Sequence, residues 1–171
     1  TIDAVQVGEN WTMDVDTEDI KLANLQFTIN VEDNAGSKSS LSRNILVDNT
    51  NPTFKVESHK DGDKVTGIVK LIGTTSDDTE GTTGSGIKSI QWLIIEKGEN
   101  IEDEALKWNE INGTLSWNYQ FEGIHELSKY VVGENKDKYA DEVETGSNVW
   151  ALPIYFKITD DVGNYTIETF T

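Results

Sequence analysis

Alternation of apolar and polar residues with a period of two constrains this chain more than any other feature. In Leu25-Gln26-Phe27-Thr28-Ile29-Asn30-Val31 and in Leu152-Pro153-Ile154-Tyr155-Phe156-Lys157-Ile158 every second residue is apolar. Successive side chains of a strand point to opposite faces, so each segment reads as a strand buried on one side. Each runs into an acidic turn, Asp33-Asn34-Ala35-Gly36 or Asp160-Asp161-Val162-Gly163-Asn164, and then into further extended chain. One hairpin is therefore written twice. Gly36 and Gly163 are 127 residues apart, and the same offset lays Leu25, Phe27, Ile29 and Val31 on Leu152, Ile154, Phe156 and Ile158. Upstream, Trp11 to Asp16 matches Trp117 to Glu122 at an offset of 106, so the second copy carries 21 extra residues, an insertion around 123–147.

Composition narrows the function classes. Asp and Glu number 31 against 14 Lys and Arg, a net charge of −17. A surface this acidic repels phosphate backbones and anionic headgroups, which argues against nucleic-acid and membrane-surface partners. No window of 18 apolar residues spans a bilayer, and the chain opens at Thr1 without a basic-then-apolar leader, as a mature piece of a longer protein would. The absence of Cys excludes disulfides, thiolate metal sites and a cysteine nucleophile. His59 and His125 sit in no nucleophile motif, and there is no GxSxG, HExxH or Gly-rich phosphate loop, so the chain reads as a non-enzyme. The adjacent carboxylates Asp77-Asp78 and Asp160-Asp161 point in different directions and do not suit glycoside hydrolysis.

The connector Asp48-Asn49-Thr50-Asn51-Pro52 marks a boundary, because its Pro cannot donate to a sheet. It divides the chain into 1–49, holding the last three strands of a repeat, and 50–171, a complete one. Beyond Pro52 strands are expected at 53–58, 64–74, 87–97, 106–111, 114–122, 149–159 and 165–171, the count of an antiparallel β-sandwich. Expected inward residues are Phe54, Val56, Val69, Leu71, Ile90, Trp92, Ile94, Leu115, Trp117, Tyr119, Leu152, Ile154, Phe156, Ile158 and Ile167, with Trp11 in the first copy. Within the insertion, 125–130 and 138–143 are expected to form helical turns.

The runs Asp61-Gly62-Asp63-Lys64-Val65-Thr66-Gly67, Ile72 to Asp78 and Gly84-Ser85-Gly86-Ile87-Lys88-Ser89-Ile90, with the ending Asp160 to Asn164 and the linker Val47 to Pro52, resemble tandem immunoglobulin-like repeats of bacterial cell-surface proteins. The resemblance implies an all-β, immunoglobulin-like sandwich preceded by a partial copy, an extracellular location and a stalk or adhesion role. Neighbouring repeats would be its first partners, and the incomplete first copy invites a homo-oligomer. The ordinary repeat lacks the insertion.

Two candidate sites follow. In such a sandwich the loops carrying Asp77, Asp78, Asp160 and Asp161 lie at the pole where the chain enters. The linker adds Asp48, Asn49 and Asn51, and the preceding copy would add Asp16, Glu18 and Asp19. Hard oxygen ligands on flexible loops suit calcium, as similar linkers in the family imply; solvated acidic loops are the competing reading. Trp108 and Trp150, outside the alternating core positions, are candidate platforms for a glycan or a host protein. A non-catalytic structural module and a binding module using the insertion both stand.

Overall fold

The computed structural model describes residues 4–79, 81–121 and 123–171, with only the backbone of 123–125. Glu80, Glu122 at the end of the expected 114–122 strand, and the side chain of His125 in the expected helical turn 125–130 lie outside the described residues. Among the described residues the chain is all-β apart from two short helices, and it divides into two compact units, Thr1–Asn49 and Thr50–Thr171.

In the first unit β1 (Val5–Val7) pairs with β2 (Asn10–Thr12), and β3 (Leu22–Glu32) pairs with β4 (Lys38–Asp48) over the whole length of both, from Leu22 opposite Asp48 to Glu32 opposite Lys38. The alternation in β3 sorts its faces as expected. Leu25 faces Ile45 and Ile29 faces Leu41 on one side, while Gln26 bonds Asn44 and Thr28 bonds Ser42 on the other. Ile29, Val31, Leu41 and Ile45 are all about half exposed or more. Trp11 departs from expectation, being 66% exposed rather than core. Its counterpart Trp117 pairs with a long strand of the second unit. Trp11 instead turns back through Gly8, at φ +63°, onto Val5–Val7, a ribbon too small to cover an indole.

The second unit holds a three-stranded antiparallel sheet of β5 (Thr53–Val56), β6 (Lys70–Ser76) and, after two intervening strands, β9 (Ser116–Gln120), ordered β5-β6-β9. A four-stranded sheet orders β13 (Tyr165–Phe170), β12 (Ile154–Asp160), β7 (Ile87–Leu93) and β8 (Asn109–Ile111). Apolar residues from both sheets form one core, with Leu71 and Trp117 from the first and Ile90, Trp92, Phe156 and Ile158 from the second. Phe54 stacks on Trp117 at 4.9 Å between centroids and on Phe156 at 4.8 Å, so rings from the two sheets touch directly. Gly73, opposite Trp117 in the β6–β9 pairing, makes room for the indole; a Cβ there would lie 2.5 Å from the ring and 2.0 Å from the Lys55 carbonyl.

Between β9 and β12 the insertion forms α1 (Gly123–Val131), α2 (Asn135–Tyr139), and a ribbon of β10 (Asp141–Glu142) with β11 (Trp150–Ala151). Residues 141 and 142, expected to be helical, thus form a short strand instead, and Val143 follows in a bend. The segment is tied back to the chain after β7. Lys97 donates its N–H to the Lys138 carbonyl and pairs with Asp141 at 2.5 Å, and the Tyr139 hydroxyl donates to Glu96 at 3.1 Å.

Several strands are shorter than the alternation implies. Pro153 separates β11 from β12, dividing the expected 149–159 strand where a backbone donor is missing. The expected 64–74 strand starts late: Gly67 adopts φ +76°, outside the extended region, and β6 begins at Lys70, preceded by one further bond from the Phe121 N–H to the Val69 carbonyl at 3.0 Å. The strand expected over 87–97 ends at Leu93, and that over 114–122 is confined to Ser116–Gln120. Leu115, expected inward, is 62% exposed because it precedes β9 in the turn after Gly113, where strand parity does not apply.

Trp92 is 2% exposed and contacts Tyr119 and Phe121 across the core. Trp92→Ala is expected to lower unfolding free energy by about 3–5 kcal/mol, measured by denaturant titration. Wild-type stability in that variant would remove Trp92 from the core.

Candidate functional site

The acidic turns, 127 residues apart, are built by the same bonds. Asp33 Oδ1 accepts the N–H groups of Ala35 at 2.8 Å and Ser37 at 2.9 Å, and the Asp33 N–H donates to the Ser37 carbonyl at 3.0 Å. Asp160 Oδ1 accepts Val162 at 3.0 Å, Gly163 at 2.6 Å and Asn164 at 2.8 Å, while its N–H donates to the Asn164 carbonyl at 3.0 Å. A short acceptor that reaches its own following amides favours Asp at the first position of such a turn. Gly36 and Gly163, at φ +83° and +107°, take the left-handed position that the reversal needs.

Their surroundings differ. Asp33 is exposed, and the backbone amides of Ser37 and Ala35 hold its carboxyl below the usual carboxylate value. Asp160 is fully buried, 0% exposed. Beside it runs the loop after β6, where Asp77, 5% exposed, accepts Gly86 N–H at 2.8 Å and Ser85 Oγ at 3.1 Å through Oδ2. Asp161 N–H donates to the Gly86 carbonyl at 3.0 Å, lacing the two loops together. Carboxylate oxygens of Asp77 and Asp160 come within 4.8 Å of each other. Gly84 permits the close turn, since a Cβ there would lie 1.9 Å from the Asp77 carbonyl oxygen.

Of the acidic residues singled out in sequence, Asp77 and Asp160 are therefore brought together and buried. Asp78 and Asp161 flank them but are exposed, Asp78 accepting Gly84 N–H at 3.2 Å. Asn51 is exposed in the connector. In the first unit Asp16 and Asp19 are exposed, and Asp16 accepts Glu18 N–H at 3.0 Å. Asp48, 7% exposed, ends β4 opposite Leu22. The Asn49 amide donates to the Thr17 and Ile20 carbonyls, both at 2.8 Å, so it fastens the 17–20 turn. Ser85, Gly86 and Asn164 belong to the buried cluster as well; the Asn164 amide donates to Asp160 Oδ2 at 2.7 Å. Their signal in the sequence was spacing from Asp77 and Asp160, which shows only once the two loops meet.

The two tryptophan platforms lie apart in the second unit. Trp108 is half-buried, with the Lys157 ammonium 5.9 Å from its ring centroid; the same ammonium sits 4.4 Å from the ring of Tyr165. Tyr165 donates to Glu102 at 3.0 Å, and that bond holds its phenol above the ordinary value. Trp150 is half-buried on β11, with Lys136 over its ring at 4.9 Å. Burial, reinforced by Glu96, likewise raises the Tyr139 phenol in the nearby insertion.

No protein-family model, curated protein or solved structure matches this chain.

The paired turns yield a direct contrast. Asp160→Ala removes a fully buried carboxylate that accepts three part-buried N–H groups, at about 1–3 kcal/mol for each donor left unsatisfied, so a loss of several kcal/mol is expected in denaturant unfolding. At Asp33→Ala water replaces the acceptor, and a much smaller loss is expected. The lowered Asp33 carboxyl makes its contribution complete above the ordinary value of 3.8 and lost as pH falls through the folded-state value. Equal losses in the two variants would refute the role assigned to burial.

Proposed function

We propose that this chain is a non-catalytic module of a bacterial extracellular stalk or adhesin, with an immunoglobulin-like sandwich at 50–171 and a partial copy of the same repeat at 1–49. The observation carrying this reading is the pairing order of the second unit, β5-β6-β9 against β13-β12-β7-β8, with both sheets contributing to one aromatic core. Such a shape resists extension and places its loops at two ends. The shared bonding of the Asp33 and Asp160 turns supports a duplicated unit. Glycan-array and serum-protein binding by the full chain and by a variant lacking 124–147 tests the role. A module whose work is spacing binds neither glycan nor serum protein in either form; a glycan or protein partner lost with 124–147 would replace this reading with that of a binding module.

A second proposal concerns calcium, favoured by one observation: two buried carboxylates, Asp77 and Asp160, approach within 4.8 Å. Like charges repel at that separation, and a hard cation held by carboxylate oxygens would offset the repulsion. Asp160 Oδ1 already accepts three N–H groups, so Oδ2 is the oxygen left to such an ion, in competition with Asn164. Calcium added to chelator-treated protein is expected to release or absorb heat and raise the melting temperature, and Asp77→Asn to remove both effects. Flat calorimetry at saturating calcium would leave these carboxylates as turn formers alone.

A further inference from the structure

The insertion does more than lengthen a connection. A cavity of about 480 Å³ lies between α1, the 62–69 loop, the β10–β11 ribbon and the ends of β6, β12 and β13. Its volume falls in the range of about 300–1,000 Å³ typical of small-molecule sites. Two of its lining residues, Leu71 and Ile154, belong to the core and are 1% and 6% exposed. Leu127 and Val131 of α1 and half-buried Trp150 of β11 also line it, while Val143 stands at the surface, 57% exposed. The cavity thus runs from the surface to the core, beneath a segment that the first hairpin copy lacks.

Its chemistry contrasts with the rest of the chain. Among the described residues of the lining Asp63 is the acidic one, and its Oδ2 accepts the Lys60 N–H at 2.8 Å. Lys64 and His59 are the basic members. Most of the remaining wall is aliphatic and aromatic, with Thr66, Ser128, Asn148 and Thr171 as its neutral polar side chains, so it offers neither the several carboxylates that hold a metal nor the cluster of cations that holds a phosphate. It suits apolar surface, and burying that surface is the favourable term available here.

We propose that this cavity is a binding site for a compact, uncharged apolar molecule, aromatic or branched aliphatic. The site is independent of the spacer reading, since a structural module can carry such a ligand and either conclusion can fail alone. The test is a titration of the full chain with N-phenyl-1-naphthylamine, a neutral aromatic probe, followed by probe emission and by tryptophan quenching. Saturable one-to-one binding is expected. Val131→Glu and Val143→Glu, which bring a charge to the lining, should each weaken it by about tenfold or more. Val143 is exposed, so its variant keeps the test sound if Val131→Glu fails to fold. The double variant Ile29→Lys, Val31→Lys removes apolar surface from the first unit and should leave the titration unchanged. Absence of saturable binding, loss of binding only in the Ile29/Val31 variant, wild-type affinity in Val143→Glu, or displacement of the probe by neutral oligosaccharides would each overturn the proposal.

Discussion

The contact of Phe54 with both Trp117 and Phe156 is the interaction on which the second unit depends. Phe54 and Trp117 belong to the three-stranded sheet and Phe156 to the four-stranded one, so the rings set the separation between the layers. Rings of this size each remove about 150–250 Å² from water, more than any aliphatic side chain in the core. That gain outweighs a visible cost. Nε1 of Trp92 and of Trp117 is buried without a hydrogen-bond partner, a penalty of about 1–3 kcal/mol each. Gly73 belongs to the same arrangement, because the indole of Trp117 occupies the space its missing side chain leaves. Gly73 weakens β6 as a strand, and the packing it permits compensates.

Period two was legible wherever both sides of a strand had a settled environment. Ile154, Phe156 and Ile158 are buried while Tyr155 and Lys157 between them are less so, as their alternation requires. The pattern misled at strand ends. Leu115 has the parity of Trp117 but lies in a turn, and the residues before Lys70 look extended in composition while Gly67 leaves the extended region. Trp11 failed for a different reason. Its neighbours match those of Trp117, yet burial of an indole depends on what lies opposite, and local sequence carries no information about that.

The acidic turns show the same limit from the polar side. Asp, Gly and the spacing between them declared both turns, and the bonds at Asp33 and Asp160 are alike. What separates a solvated turn from a buried cluster is the loop carrying Asp77, Ser85 and Gly86, distant in sequence from Asp160. Of the carboxylates in the second unit's loops, Asp78 and Asp161 are exposed, where water and salt screen their charges.

The insertion follows different rules from the sheets around it. Its helices are too short to be stable alone, so its shape rests on a few ties: the Tyr130–Tyr139 edge contact, the Tyr139 hydroxyl on Glu96, and Lys97 on both Lys138 and Asp141. Those made by Glu96 and Lys97 hold the side of the segment next to the end of β7. On the other side, α1 packs Leu127 and Tyr130 against the core, and Val131 and Trp150 line a cavity beside that contact. A segment serving only to join β9 to β12 would gain stability by closing that space, since unfilled apolar volume forfeits dispersion contacts. That it is braced on one side and open on the other is the arrangement expected where the volume itself is used.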